Sequence, residues 1–161
     1  MEEFITIKNY ARVELVIKKS KFIAEIFYTG TILEVENILK MVKKRESGAK
    51  HYCYAYRILE SDIIEKMSDD GEPSGTAGGS IMNVLIGNNL LNVLVIVTRY
   101  FGGILLGTGG LVKAYSQVTS EALKCAETKK MQKATEMILT TNYSNLEQLK
   151  YYLNKIRCKN Y

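Results

Sequence analysis

The segment Arg99–Tyr115, RYFGGILLGTGGLVKAY, sets five glycines between an arginine and a lysine. It follows an apolar run that reads as a strand and opens a helix-like stretch. Strand, glycine-rich loop and helix start together make a general phosphate cradle, because bare backbone N–H groups and the helix dipole both favour an anion. Arg99 would supply a bidentate fork and Lys113 a point charge, with Tyr100, Gly102, Gly103, Gly107 and Gly110 forming the anion- or RNA-facing loop. The spacing matches neither G-x-x-x-x-G-K-[ST] nor G-x-G-x-x-G, so no standard nucleotide loop is present. The competing explanation is geometric: glycines tolerate left-handed turns and let a helix lie close on a sheet.

Two further stretches carry reactive residue types. In SDDGEPSGTAGG, Asp69, Asp70 and Glu72 fall within four positions of a Gly/Pro turn that leads into a helix. Clustered carboxylates can hold a divalent cation or share a proton. A polar turn stiffened by Pro73, with an Asp capping backbone amides, explains them equally. In HYCYAY, alternation places His51, Cys53 and Ala55 on one strand face and Tyr52, Tyr54 and Tyr56 on the other. His51 and Cys53 could suggest a nucleophile pair, but no acid is defined to orient the histidine, and a structural histidine accounts for it. The tyrosine stripe could stack bases or form half of a core. The chain has one His and three Cys, namely Cys53, Cys125 and Cys158, with no C-x-x-C pair. No metal site, disulfide framework or cofactor is expected from them.

These residues need elements to position them. ARVELVIKKSKFIAEIFY reads as two strands around a turn, and TILEVENILKMVKKRES as a helix with Ile32, Val35, Leu39 and Val42 on one stripe. HYCYAYRI and DIIEKMS read as strands. TAGGSIMNVLIGNN has helical spacing at Ala77, Ile81 and Leu85, and VLVIV reads as a central strand, apolar on both faces. A second helix runs from Gly109 to about Ala126, with Leu111, Tyr115, Val118 and Ala122 as its stripe. After a linker at 129–133 the pattern restarts. TEMILTTN is strand-like, and SNLEQLKYYLNKI opens with Ser144 and Glu147 in capping-box spacing and continues through Leu146, Leu149, Leu153 and Ile156.

The formal charge of +5 is uneven: residues 1–50 carry +3, residues 51–100 carry −3 and residues 101–161 carry +5. Such a bias fits an anionic partner. Apolar runs are far short of the ~20 residues of a membrane span, and MEEFITIKNYARVE has no basic-plus-hydrophobic leader. A cytoplasmic location without membrane contact is expected.

Together KKSKFIA, HYCYAY, SDDGEPSGTAGG and VIVTRYFGGILLGTGGLVKAY resemble the IMPACT/YigZ family, in that family's order and over residues 1–128. Departures are slight: Gly79 and Ser80 stand where bacterial members often have Lys-Pro, and Tyr56 where many have Trp. The resemblance implies an α+β domain of the ribosomal protein S5 domain 2-like type, a mixed sheet with two helices on one face. It implies that residues 134–161 are part of a ferredoxin-like C-terminal domain, cut short in this chain. It adds Ser20, His51, Cys53 and Gly78 to the signature positions. It implies a link to translational regulation, since eukaryotic members look like regulators that compete for an activator of a stress kinase. Two functions follow as expectations. One is a translation-associated module that binds RNA or a ribosome-associated partner without catalysis. The other is a small enzyme for a phosphate-bearing ligand or nucleotide, using loop 102–110 with Arg99, Lys113 and the Asp69/Asp70/Glu72 cluster. A protein–protein adaptor has only the eukaryotic analogy behind it.

Overall fold

The computed structural model describes residues 3–132, 134 and 137–155. Strands β2 (Ala11–Ile17), β3 (Ser20–Tyr28), β4 (His51–Leu59), β5 (Ile63–Ser68) and β6 (Val93–Tyr100) form one sheet in the order β2-β3-β6-β4-β5. Every pairing in it is antiparallel, where a mixed sheet was expected. The β2–β3 hairpin turns through Lys18 and Lys19, both with positive φ (44° and 65°). Two left-handed residues twist the turn to match the strands, which is the reason such hairpins close tightly.

Strand β6 lies at the centre, as its unbroken apolar run predicts. Its side chains divide by parity. Val93, Val95 and Val97 join one core with Ala24, Ile26, Cys53 and Ala55, under helices α2 (Gly78–Gly87) and α3 (Thr108–Ala126). Ile81 and Leu85 of α2, and Leu111, Tyr115, Val118 and Ala122 of α3, close that core. Leu94 and Ile96 face the other way, onto Val35 and Val42 of helix α1 (Ile32–Arg45). Two helices therefore share one face, and α1 covers the other. Each fully buried Val, Leu or Ile contributes about 1.5–3 kcal/mol of transfer free energy, so the seven-residue buried run of β6 is the most expensive place to insert a polar group.

Helix α1 begins at a capping box: Thr31 Oγ1 accepts from Glu34 N, and the Glu34 carboxylate accepts from Thr31 N. Its last turn, Lys43-Lys44-Arg45, suits the negative pole of the dipole. The tyrosine stripe of β4 packs beneath this helix, with Tyr56 buried and Tyr54 stacked on it at 6.4 Å. That is the core explanation of the stripe, not an open base-stacking face.

The expected linker at 129–133 is strand through Gln132: β7 (Thr128–Gln132) pairs antiparallel with β1 (Glu3–Ile7). The polar run TKKMQ hides this pairing, because a two-stranded ribbon at the margin buries only its partner's side. Residues 137–142, expected as strand, have no regular structure; Thr135 and Glu136 lie outside the described residues, as do Ile156 and Cys158. Ser144 sits in a 3-10 turn, Tyr143–Asn145, and donates to Asn142 Oδ1 rather than capping Glu147. Helix α4 (Leu146–Lys155) follows.

Candidate functional site

One end of the sheet gathers the predicted residues. The register sets Arg99, near the end of β6, opposite Phe22 near the start of β3 and His51 at the start of β4. The turn after β5 and the glycine loop after β6 lead into α2 and α3, whose N-termini open at this end.

Arg99 and Glu72 meet there as a buried ion pair. Nη1 of Arg99 donates to Glu72 Oε1 at 2.6 Å, with side-chain exposures of 5% and 3%. Tyr115 Oη donates to the same oxygen at 2.8 Å. Nη2 of Arg99 donates to Ser20 Oγ at 3.3 Å, and Ser20 Oγ also accepts from Gly102 N at 3.3 Å. The guanidinium lies 5.3 Å from the Phe22 ring and 5.6 Å from the Phe101 ring, while its Nε is buried without a partner among the described residues. Cys53 Sγ donates to the Asp69 carbonyl at 2.9 Å or to Tyr115 Oη at 3.3 Å. Burial, followed by the nearby Glu72, Asp70 and Asp69 carboxylates, pushes the Cys53 thiol up to about 12 against the lowering effect of the Tyr115 hydrogen bond. Burial also drives the Tyr115 phenol upward, with Cys53 and Glu72 adding to it. Neither is a nucleophile at neutral pH.

The three carboxylates of DDGE do not converge. Asp69 accepts from Gly75 N, Ala77 N and Gly78 N at 2.8, 2.9 and 2.8 Å, which caps α2 from outside it. Burial alone would raise its pKa, but these three N–H groups outweigh that and hold it below the ordinary carboxylate value. Asp70 accepts from Tyr52 N at 2.7 Å and pairs with Lys43 at 3.6 Å. The Asp70 carbonyl lies 3.0 Å from His51 Nδ1; a carbonyl only accepts, so Nδ1 donates in this contact. Among the described residues, no three His, Cys, Asp or Glu side chains come together as metal ligands would. Asp69, Asp70 and Glu72 thus make three separate sets of contacts within the protein.

The glycine loop is explained largely by geometry. A Cβ on Gly102 would lie 2.0 Å from the backbone C and O of Lys19, so the loop presses directly on the β2–β3 turn. Gly103 and Gly107 take positive φ (84° and 72°), and a Cβ on Gly110 would meet Leu106 Cβ at 3.1 Å. Gly109 is different: its added Cβ meets nothing within 4 Å and its φ is not positive. Gly107 caps α3 without a side-chain bond, leaving the first amides of the helix open. Tyr100 turns away, donating to Glu46 Oε2 at 2.9 Å with Lys21 Nζ over its ring at 4.7 Å. Lys113 is exposed and does not join the Arg99–Glu72 pair.

Tyr115 is the participant that sequence patterning missed, being assigned to the apolar stripe of α3. The signal available was chemical: a fully buried tyrosine needs a partner for its hydroxyl, and the buried polar residues of this end supply it.

The family model of the Impact N-terminal domain matches residues 18–123, a span that contains the Ser20–Arg99–Glu72–Tyr115–Cys53 network. The chain belongs to the IMPACT family. It is 44% identical over 123 residues to the IMPACT family member YvyE of Bacillus subtilis, covering 76% of this chain and 57% of that one. To YigZ of Escherichia coli it is 36% identical over 141 residues, covering 86% and 69%. An IMPACT family member of Haemophilus influenzae is 35% identical over 157 residues, covering 96% and 76%. The fold matches the crystal structure of a hypothetical protein with a TM-score of 0.79 at 34% identity, over 96% of this chain and 76% of that one. The chain thus spans little more than half the length of its Bacillus relative.

Proposed function

We propose that the chain is a non-catalytic, translation-associated module of the cytoplasm that binds RNA, or a ribosomal partner through its RNA, with the glycine-loop end of the sheet. One observation carries this. Every acid, thiol and phenol gathered there is engaged inside the protein, while the charged side chains left outside are lysines. Lys18 and Lys19 form the exposed hairpin tip, Lys50 lies beside Phe101 with Nζ 5.9 Å from its ring, and Lys113 is exposed on α3. None of the four pairs with a carboxylate among the described residues. The open amides of α3 and the bare Gly109 add room for a phosphate close to backbone. The translation link rests on the family resemblance. So do the S5 domain 2-like assignment, supported by α2 and α3 lying together on one sheet face, and the ferredoxin-like assignment of the residues from 134 onward. An enzyme acting on a phosphorylated ligand is less well supported, because Glu72, Asp69, Asp70, Cys53 and Tyr115 are all engaged in contacts within the protein.

Fluorescence anisotropy with labelled single-stranded RNA over a salt series tests the proposal. Four lysine–phosphate contacts give a slope of log K on log salt of about −3, and Lys50→Glu with Lys113→Glu reduces its magnitude by about 1.4. Binding absent at low salt, or indifferent to both substitutions, overturns it.

A further inference from the structure

Strand parity makes Arg57 an anomaly. It follows Cys53 and Ala55 at two-residue intervals, so it leaves β4 on the face that packs beneath α2 and α3. It lies at the opposite end of the sheet from the glycine loop, paired with Val93 at the start of β6. Its side chain is only 12% exposed. Nε donates to Glu65 Oε1 at 2.7 Å and Nη1 to the Leu90 carbonyl at 3.0 Å. Among the described residues Nη2 has no acceptor, and it is not sealed from solvent. A guanidinium has five N–H groups, so most of this fork is unused.

Arg57 lines an open cavity of about 400 Å³ between the β1–β7 ribbon and the β4–β5 edge. Phe4, Ile63 and Leu91 contribute apolar wall, and Lys130 and Glu3 contribute the other charges. That volume is at the lower end of small-molecule sites, which are mostly apolar with a few placed polar groups.

We infer that this cavity binds a small organic monoanion, a carboxylate on a short apolar body. The planar fork of Arg57 matches a carboxylate in two N–H···O bonds, as a point charge would not. Two cations, Arg57 and Lys130, are opposed by Glu65 on Nε and Glu3 in the wall, so no net positive field offsets the desolvation of a ligand's charge; that cost grows with charge and is smaller for a monoanion than for a dianion such as a phosphomonoester. The apolar walls of Phe4, Ile63 and Leu91 take the body of the ligand. The inference is independent of RNA binding at the other end of the sheet.

Amide NMR of the full chain, titrated with hexanoate and with 3-phenylpropionate, tests it. Both produce saturable shifts at Ile63 and Leu91, whereas 1-hexanol and inorganic phosphate do not. Ile63→Trp, at a half-exposed position, fills the mouth and weakens hexanoate at least about tenfold with Tm unchanged. Lys130→Gln, which removes one wall charge and leaves the apolar wall in place, weakens it about threefold. Equal response to hexanol marks an apolar crevice only, and competition by phosphate marks a general anion surface; either result, or no saturation at all, overturns the proposal.

Discussion

Replacing Glu72 with glutamine removes one charge from the centre of the Arg99 network while keeping the shape of the side chain. Both partners are almost fully enclosed, so water cannot solvate the guanidinium that remains. Among the described residues Arg99 Nε already lacks a partner, and the neutral Ser20 hydroxyl on Nη2 is the hydrogen bond that remains beside position 72. Breaking a buried pair by removing one partner costs about 3–5 kcal/mol. Against a total stability of ~5–15 kcal/mol, that is about a fifth or more of the folding free energy. For a chain of this size each kcal/mol lowers Tm by about 2–4 °C, so Glu72→Gln should lower it by roughly 6–20 °C. The double variant Glu72→Gln with Arg99→Met removes both charges and places a flexible apolar chain between Phe22 and Phe101. It should recover at least about half of the loss, because a buried pair is worth little against a well-packed apolar replacement. Urea denaturation followed by circular dichroism, run on parent, both singles and the double, measures the coupling. A loss under about 1 kcal/mol for Glu72→Gln, or a double variant no more stable than that single, refutes the argument.

Cys53 should resist iodoacetamide at pH 8 in the folded protein while exposed Cys125 reacts, since its pKa of about 12 leaves almost no thiolate; peptide mass mapping shows which thiol is labelled. Asp69 has a folded pKa below its unfolded value, so its contribution is complete above the unfolded value of about 3.9 and is lost as pH falls toward the folded one. Asp69→Asn should cost about 0.5–2 kcal/mol at pH 7 and flatten the acid-side decline of stability, read from urea midpoints at neutral and acid pH. An unchanged acid-side slope counts against the capping role. Gly102→Ala should destabilise by about 3 kcal/mol because its Cβ enters the Lys19 backbone. Gly109→Ala should gain about 0.5–1 kcal/mol from helix propensity yet weaken RNA binding, so parent-like affinity in that variant would remove Gly109 from the interface.

Most of the domain was legible before any coordinates. The alternation of β4 sorted Cys53 and Ala55 from Tyr52, Tyr54 and Tyr56, and the structure packs those two sets against different helices. The stripes at Ala77, Ile81 and Leu85, and at Leu111, Tyr115, Val118 and Ala122, are the buried faces of α2 and α3. What failed was weakly patterned. The β1–β7 ribbon is largely exposed along β7, so TKKMQ carries no apolar period. Residues 137–142 open on the continuous apolar run Met137-Ile138-Leu139 but pair with no strand among the described residues. The glycine loop was half legible: its glycines were expected to serve either a ligand or close packing, and the Lys19 contact assigns Gly102 to packing.

Element type and face were set by the sequence itself, because periodicity and caps act over three or four residues of chain. The family signature marked the same residues without saying what each one does. Only the tertiary structure decided that. Arg99 reaches Glu72 across 27 positions, Tyr115 reaches Glu72 across 43 and Arg99 reaches Ser20 across 79. Spacing along a chain carries no information about partners so distant; the sheet order brings them together. Glu72 and Arg99, which could have been reactive, are instead bound to one another, because burial makes an unpaired charge too costly to leave.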